Sequence, residues 1–511
     1  MHKICDICKS IIYFLAAVVL AGLTAANLVW TIYVSYNHEE EVTFTISFWY
    51  LIPLALIVVL LFLFVKNVDK INIKWLFILG SIIYLVFGLY ILLNTEDFIR
   101  NDAGSLWNAA GQILSGDYSS LEQDGYIGYF PYQLGFTTYD MAIRFFGGGE
   151  KTLYFLNLLE VLVINYFGYK ISDKLFSDDR VNKLVVLIEF LFLPQFFFFM
   201  FGYGIVPGFC AFIIAVYFFI CICKGDSQLK NIILMIVFAT LANLLKSNYG
   251  IGAIALGMAL FIQLFDKKEK KDKKKIIVGL VSAVLVIIIP LSSDGCLKAI
   301  YQIATGVEIG EGAPVIANFA MGMDIDNNTW GPSGPGWYDG SNAKDYENHD
   351  LDSQATSEYE IAKIKNSLQQ CLQEPKKAAL FYVRKVVSMW CEPLFQSIWS
   401  GPKENTDRSM VVSQPLLVSM YTGGTAAKAF GLFAKPILIL ILAAALGFLL
   451  LHRKEYSLPI VFYLYILGGF TFHLFSEAKA QYSYMYVFAL IPLAAYMICG
   501  VGKRIDSKKE K

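Results

Sequence analysis

Residues 250–290 read GIGAIALGMALFIQLF, DKKEKKDKKK, IIVGLVSAVLVIIIP: an apolar block over 250–265, a lysine-dense stretch over 266–275, and a second apolar block from 276. A helix of about 20 mostly apolar residues crosses the hydrocarbon core of a bilayer. A lysine cluster between two such helices resists translocation, so Lys267, Lys268, Lys270, Lys271, Lys273, Lys274 and Lys275 mark a cytoplasmic turn between two spans. Working outward, further windows of the same kind lie near 10–33, 47–65, 75–93, 151–169, 184–201, 206–223, 231–246, 431–451, 458–475 and 484–501. With 250–265 and 276–292, they predict an all-α polytopic membrane protein of about twelve transmembrane helices. The pair over 184–223 is broken by Pro194, Gly202, Gly204 and Pro207 and carries an aromatic run from Phe196 to Phe199. The first window follows Lys3 and Lys9 and is too long for the apolar part of a signal peptide, so it reads as an uncleaved anchor.

Composition points the same way. The 511 residues are 56% hydrophobic and only 16% charged, where soluble domains run near a quarter. Mean hydropathy is +0.54. The 42 basic and 42 acidic side chains cancel, which excludes a nucleic-acid binder acting through bulk positive charge. They are nonetheless segregated. With a cytoplasmic N-terminus, the inner segments 1–9, 66–74, 170–183, 224–230, 266–275, 452–456 and 502–511 hold 25 basic and 12 acidic residues, leaving 17 and 30 elsewhere. The resulting +13 inside and −13 elsewhere place both termini in the cytoplasm. Two long segments, 94–150 and 293–430, then face outward, and loops of that length usually carry function. The predicted organisation is 1–74 as an N-terminal two-helix addition, 75–292 as a membrane core with its first extracytoplasmic loop at 94–150, 293–430 as a second large loop, and 431–511 as C-terminal membrane helices with a basic tail.

Several chemistries lack their residues. Cys5-x-x-Cys8 stands alone near the N-terminus, Cys210, Cys221, Cys223 and Cys499 fall in spans, and Cys296, Cys371 and Cys391 lie outside, where a Cys371–Cys391 bridge stays open. The five histidines show no metal-ligand spacing, and neither a Walker A loop nor a strand–GxGxxG–helix is present. Neither metal nor cofactor is expected.

In the first outer segment, Leu106, Ala109, Ala110, Ile113 and Leu114 share one side of a helix over 103–115 that Gly116 closes, and Asp102 is placed to cap its start. The same carboxylate, a few residues past the membrane exit, is placed to take a proton from a hydroxyl. Glu96 and Asp97 compete for that role. Asp102, Ala110, Gly116-Asp117-Tyr118 and Gly125-Tyr126-Ile127-Gly128-Tyr129-Phe130-Pro131-Tyr132-Gln133 follow in order. This pattern resembles the first extracytoplasmic loop of GT-C superfamily membrane glycosyltransferases, such as protein O-mannosyltransferases, lipid A aminoarabinose transferases and bacterial cell-envelope enzymes. In those, an acidic residue follows a span, then come an Ala-rich helix, a Gly-Asp-aromatic step and an aromatic-Pro entry to the next span. The likeness is specific over 97–135 and extends in organisation over 94–500. The family often has two adjacent acids where this chain has Asn101-Asp102, with Glu96-Asp97 upstream.

Two lysines, Lys246 and Lys479, sit at outer span ends against the inner bias of positive charge. They read either as snorkelling or paired cations or as a basic pocket for a lipid phosphate. Glu477 shares a short turn with Lys479. In the second outer segment, Trp330-Gly331-Pro332-Ser333-Gly334-Pro335-Gly336-Trp337-Tyr338 is a turn-rich aromatic loop. Ile361–Gln373 reads as an amphipathic helix. A helix from Pro375 to Trp390 carries Lys376, Lys377, Arg384 and Lys385 beside an apolar face and is expected to lie on the outer membrane surface.

The resemblance implies a GT-C-like fold and transfer of a monosaccharide from a polyprenyl-phosphate donor to a cell-envelope polymer or glycolipid on the outer face, inverting and metal-independent. Asp102 or Asp97 would be the base. Lys246, Lys479 and Arg100 would hold the donor phosphate, and Tyr129, Gln133, Glu477 and Tyr482 would contact substrate. The partners are thus the lipid-linked donor, the acceptor glycan and membrane lipid, with no nucleic acid. Alternatives are a lipid-linked sugar exporter and a polysaccharide polymerase or ligase.

Overall fold

The computed structural model describes residues 2–35, 40–96, 99–226, 228–265, 273–326, 333–402 and 412–509. Asp97, Lys267 to Lys271 and Trp330-Gly331-Pro332 lie outside the described residues. Among the described residues, nine helices are long and apolar enough to cross a membrane. Two bent pairs, Asp179–Leu191 with Leu193–Met200 (55°) and Ala480–Phe488 with Ile491–Gly500 (49°), and the shorter Ile460–Phe475 complete the set. Each sequence window meets one of these elements. The chain is a mostly helical, polytopic, membrane-embedded protein.

Ile205–Cys223 is the most enclosed long span, with 78% of its apolar window buried, against 22% for Leu51–Lys70 and Ile73–Leu93. It packs on Gln228–Leu245 and Glu150–Phe176, whereas the two early spans present their apolar faces outward, as contact with lipid requires. The bend near Pro194 follows from a proline at the start of the second arm, which cannot continue the preceding hydrogen-bond ladder. Phe196 to Phe199 are all buried there. Their rings meet Tyr84, Phe430 and Tyr484.

Three boundaries differ from the sequence expectation. The first span ends at Val29, and Trp30–Val34 (β1) pairs antiparallel with Val42–Ile46 (β2), Trp30 opposite Ile46 and Val34 opposite Val42. The fold is therefore not wholly α-helical. WTIYV and VTFTI are rich in β-branched and aromatic residues, and their hydropathy alone had merged the first strand with the span. The helix predicted to end at 292 runs 33 residues, Lys273–Thr305. At about 1.5 Å per residue it outreaches the bilayer core. Finally, the amphipathic helix expected at Ile361–Gln373 starts earlier, at Ser353, where the Asp352 side chain accepts from the Gln354 and Ala355 amides.

Pro375–Trp390 forms as expected, but it does not lie with all its cations on a surface. Lys385 is 1% exposed and donates to the carbonyls of Gly322 (2.6 Å), Leu474 (3.1 Å) and Ser476 (2.7 Å). The reason is that the end of Ile460–Phe475 leaves carbonyls without intrahelical partners, and a buried ammonium satisfies them. Cys371 and Cys391 at either side of this helix are free thiols.

A second buried lysine ties the N-terminal module to the rest. Lys435, also 1% exposed, donates to Asn27 Oδ1 (2.6 Å), the Trp30 carbonyl (2.7 Å) and the Cys391 carbonyl (3.2 Å). The Ile32 amide adds a bond to the Cys391 carbonyl. Lys435→Met keeps the side-chain volume but removes a donor from Asn27 Oδ1 and from the Trp30 and Cys391 carbonyls, of which the last keeps the Ile32 amide. It should lower stability by about 3 kcal/mol, read as a fall in Tm of the detergent-purified protein; an unchanged Tm would mean the acceptors find other donors.

Candidate functional site

The chain at 99–103, the residues just after Gln228–Leu245 and the end of Ile460–Phe475 open onto one cavity of about 650 Å³. Of the sequence-predicted residues, Arg100, Asp102, Gln133, Lys246, Glu477, Lys479 and Tyr482 all line it. Of the two others, only Tyr129 is among the described residues, and it is not brought there. Asp97 lies outside the described residues. Tyr129 points away, its hydroxyl donating to Glu347 Oε1 (3.1 Å) and its ring edge-on to Tyr346; the neighbouring Phe130 and Tyr132 take the cavity wall instead.

Asp102 is not the helix cap. The helix runs Asn101–Ser115 with Arg100 at the cap position, which puts Asp102 in the first turn, exposed to the cavity. A carboxylate there is favoured by the positive end of the helix. Asn101 turns the chain with φ of 54°, a left-handed conformation that Asn tolerates better than most residues. The buried face, Ala103, Leu106, Trp107, Ala109, Ala110 and Ile113, anchors the helix, and Gly116 ends it with φ of 86°.

Lys246 is delivered by close backbone packing. A Cβ at Gly135 would collide with the Leu244 carbonyl, and one at Gly204 with the Leu245 carbonyl, so only glycines let these two segments reach the end of the span. Beyond it, Lys246 Nζ sits 3.7 Å from the centroid of the Tyr203 ring. The Tyr203 hydroxyl accepts a hydrogen bond from Gln133 Nε2. Among the described residues no carboxylate is within ion-pair distance of Lys246.

The turn bearing Glu477 and Lys479 has little regular structure of its own and is held from outside. Lys385 takes the Leu474 and Ser476 carbonyls, Glu477 N–H donates to Asn318 O (2.8 Å), and Ala478 N–H to Gly336 O (3.0 Å). The 293–430 segment is thus the scaffold of this part of the site. From the predicted aromatic loop, Trp337 is buried and donates to Ser388 Oγ, whereas Tyr338 faces the cavity with its ring centroid 5.3 Å from Lys479 Nζ.

Glu477 accepts from the Tyr482 hydroxyl (3.1 Å), and the Tyr482 ring stacks on His473. Although it shares a short turn with Glu477, Lys479 contacts both carboxylate oxygens of Glu40, at 3.1 and 3.0 Å. Arg100 donates from Nη2 to the Trp399 carbonyl (2.6 Å) with its guanidinium over the Trp399 ring.

The cations consequently differ. Burial pushes Lys246 down to about 8, with Asp102 and Glu477 opposing. Burial also works against the charge on Lys479, but Glu40 and Glu477 outweigh it and hold the group above the ordinary lysine range. Arg100 is lowered to about 10 by burial. Glu477 is raised by burial, with Lys479 and the Tyr482 hydroxyl opposing.

Sequence reasoning missed Glu40 and Asp294, which also line the cavity. Glu40 belongs to an acidic triplet, Glu39-Glu40-Glu41, in a short interspan segment, and Asp294 stands just past the predicted span end. Asp294 accepts from Asn243 Nδ2 (3.3 Å). The lower wall is apolar: Ile251, Ile254 and Leu291. Ile254, Met258 and Phe261 are exposed and spaced i, i+4, i+7, so one apolar strip leaves the cavity along the span.

No protein-family model, curated protein or solved structure matches this chain.

The arrangement can bind an anion at its cationic side while a carboxylate faces it. Lys246 should lose its proton, and with it anion affinity, as pH rises through about 8. Sulfate keeps a constant charge over that range. Its thermal stabilisation of the wild-type protein should fade between pH 7 and 9.5, whereas Lys246→Arg should hold it. Equal pH profiles would remove Lys246 from the anion site.

Proposed function

We propose that the chain is an integral membrane glycosyltransferase that moves a monosaccharide from a polyprenyl-phosphate donor to a cell-envelope polymer or glycolipid. The observation that carries the reading is the convergence of Asp102, Lys246 and Lys479 on one cavity whose wall continues as an apolar strip down a span. An amphiphilic donor needs that combination: a groove for its chain, cations for its phosphate, and a base across from them. The resemblance of 97–135 to GT-C first loops supports it independently, and the charge segregation supports a cavity on the outer face with cytoplasmic termini.

In the proposed step, Asp102 takes the proton of an acceptor hydroxyl. The hydroxyl oxygen bonds to the anomeric carbon, the bond from that carbon to the phosphate oxygen breaks, and its electron pair leaves with the lipid phosphate. One displacement inverts the anomeric configuration. Lys246 and Lys479 meet the charge that grows on the departing oxygen, where a preorganised cation is worth most. Arg100 is spent on the Trp399 carbonyl and serves the wall more than the phosphate. Gln133 acts through Tyr203, and Glu477 through Tyr482.

One observation favours the exporter reading. Glu189, fully buried in the bent pair, has neither carboxylate oxygen hydrogen-bonded among the described residues, as an ion-coupled transporter's acid would be placed.

Asp102→Asn should cut transfer of labelled sugar in reconstituted vesicles by about 10²–10⁴-fold while leaving yield and Tm unchanged. Full transfer in that variant would overturn the assignment of the base. Lys246→Ala should raise the KM for the lipid donor more than that for the acceptor. Surface glycans of cells with and without the protein decide between classes: a missing sugar branch fits transfer, and a missing whole polymer fits export.

A further inference from the structure

Glu40 stands two residues before β2, on the N-terminal module and not on any element that forms the rest of the cavity. Its position is set from outside the site. Ser35 N–H donates to Glu41 O (2.7 Å), Glu41 bridges Ser333, Phe44 lies under the Arg384 guanidinium at 4.0 Å, and Lys435 holds the Trp30 carbonyl. The hairpin therefore holds a carboxylate against Lys479, with both partners 15% exposed. With every group ionised the cavity carries four acids, Glu40, Asp102, Asp294 and Glu477, against the three cations Arg100, Lys246 and Lys479. Lys246 is open to a ligand anion, while Lys479 is already engaged.

We infer that Glu40 is a built-in counter-anion that lends Lys479 to the ligand only when the phosphate acquires its second negative charge. The ligand's identity as a phosphate rests on the transferase reading above. A sugar-linked phosphodiester carries one charge, which Lys246 can meet alone. As the bond from the anomeric carbon to the phosphate oxygen breaks, the electron pair stays on that oxygen and the phosphate becomes a doubly charged monoester. Lys479 then exchanges Glu40 for the new oxyanion. Because the exchange costs the Glu40 contact, the monoester product is held less tightly than two free lysines would hold it, and it can leave. Glu40 is thus a positioning residue acting through Lys479, and the N-terminal two-helix module tunes product release.

The test uses the full-length protein in nanodiscs, with farnesyl phosphate as the doubly charged probe and its methyl ester as the singly charged one. Glu40→Gln should tighten farnesyl phosphate about tenfold and the methyl ester by about threefold or less. Glu40→Asp, which keeps the charge but shortens its reach, should fall between. In a Lys479→Ala background, Glu40→Gln should change neither affinity, a null that a merely structural role would not produce. Wild-type binding with no response to Glu40→Gln, or a response that persists without Lys479, overturns the inference alone. If wild type and Glu40→Gln bind neither ester, the transferase reading falls and the inference with it.

Discussion

An ammonium buried among carbonyl oxygens, with no carboxylate within ion-pair distance among the described residues, organises this chain twice. Lys435 joins the end of the first span, the start of the β-hairpin and the end of Pro375–Trp390. Lys385 joins the end of Ile460–Phe475 to the Gly322 carbonyl of the 293–430 segment. Helix ends leave carbonyls that must find donors, and where they are enclosed by protein instead of water, a lysine with three donors can satisfy several at once. The two clamps hold the hairpin, the Pro375–Trp390 helix and the Glu477–Lys479 turn around one opening. Without them the cavity would have no fixed far wall.

That wall gives the site its electrostatic asymmetry. Lys246 and Lys479 enter the same space from different span ends, yet one rests on an aromatic ring and the other on a carboxylate. Burial disfavours the charge on both; it prevails at Lys246, whereas Glu40 together with Glu477 outweighs it at Lys479. A site with one open cation and one engaged cation can respond to a change in ligand charge, which two equivalent lysines could not.

Much of this was legible along the chain because bilayer insertion writes itself in local composition. Twelve apolar windows and the lysine run 267–275 are contiguous signals, and Lys246 and Lys479 stood out by breaking the charge bias. Lys385 was misread because an amphipathic pattern records which face is apolar, not what that face or its neighbours pack against. Tyr129 is off the cavity for a related reason: of the adjacent aromatics Tyr129-Phe130 only Phe130 lines it, and a short helical turn at Tyr126–Tyr129 decides which. Trp30–Val34 was absorbed into a span because hydropathy does not distinguish a strand from the last turn of a helix.

By itself the sequence determined that the chain is embedded in a membrane, where its spans run, and that its acidic and basic residues are segregated, since each of these depends on runs of neighbouring residues and on the cost of moving charge through lipid. Only the tertiary structure decided that Asp102 faces Lys246 and Lys479 across a common cavity, and that Glu40, 439 residues from Lys479 along the chain, is its partner. Lateral proximity between span ends depends on side-chain packing between helices distant in sequence, and no local pattern records it.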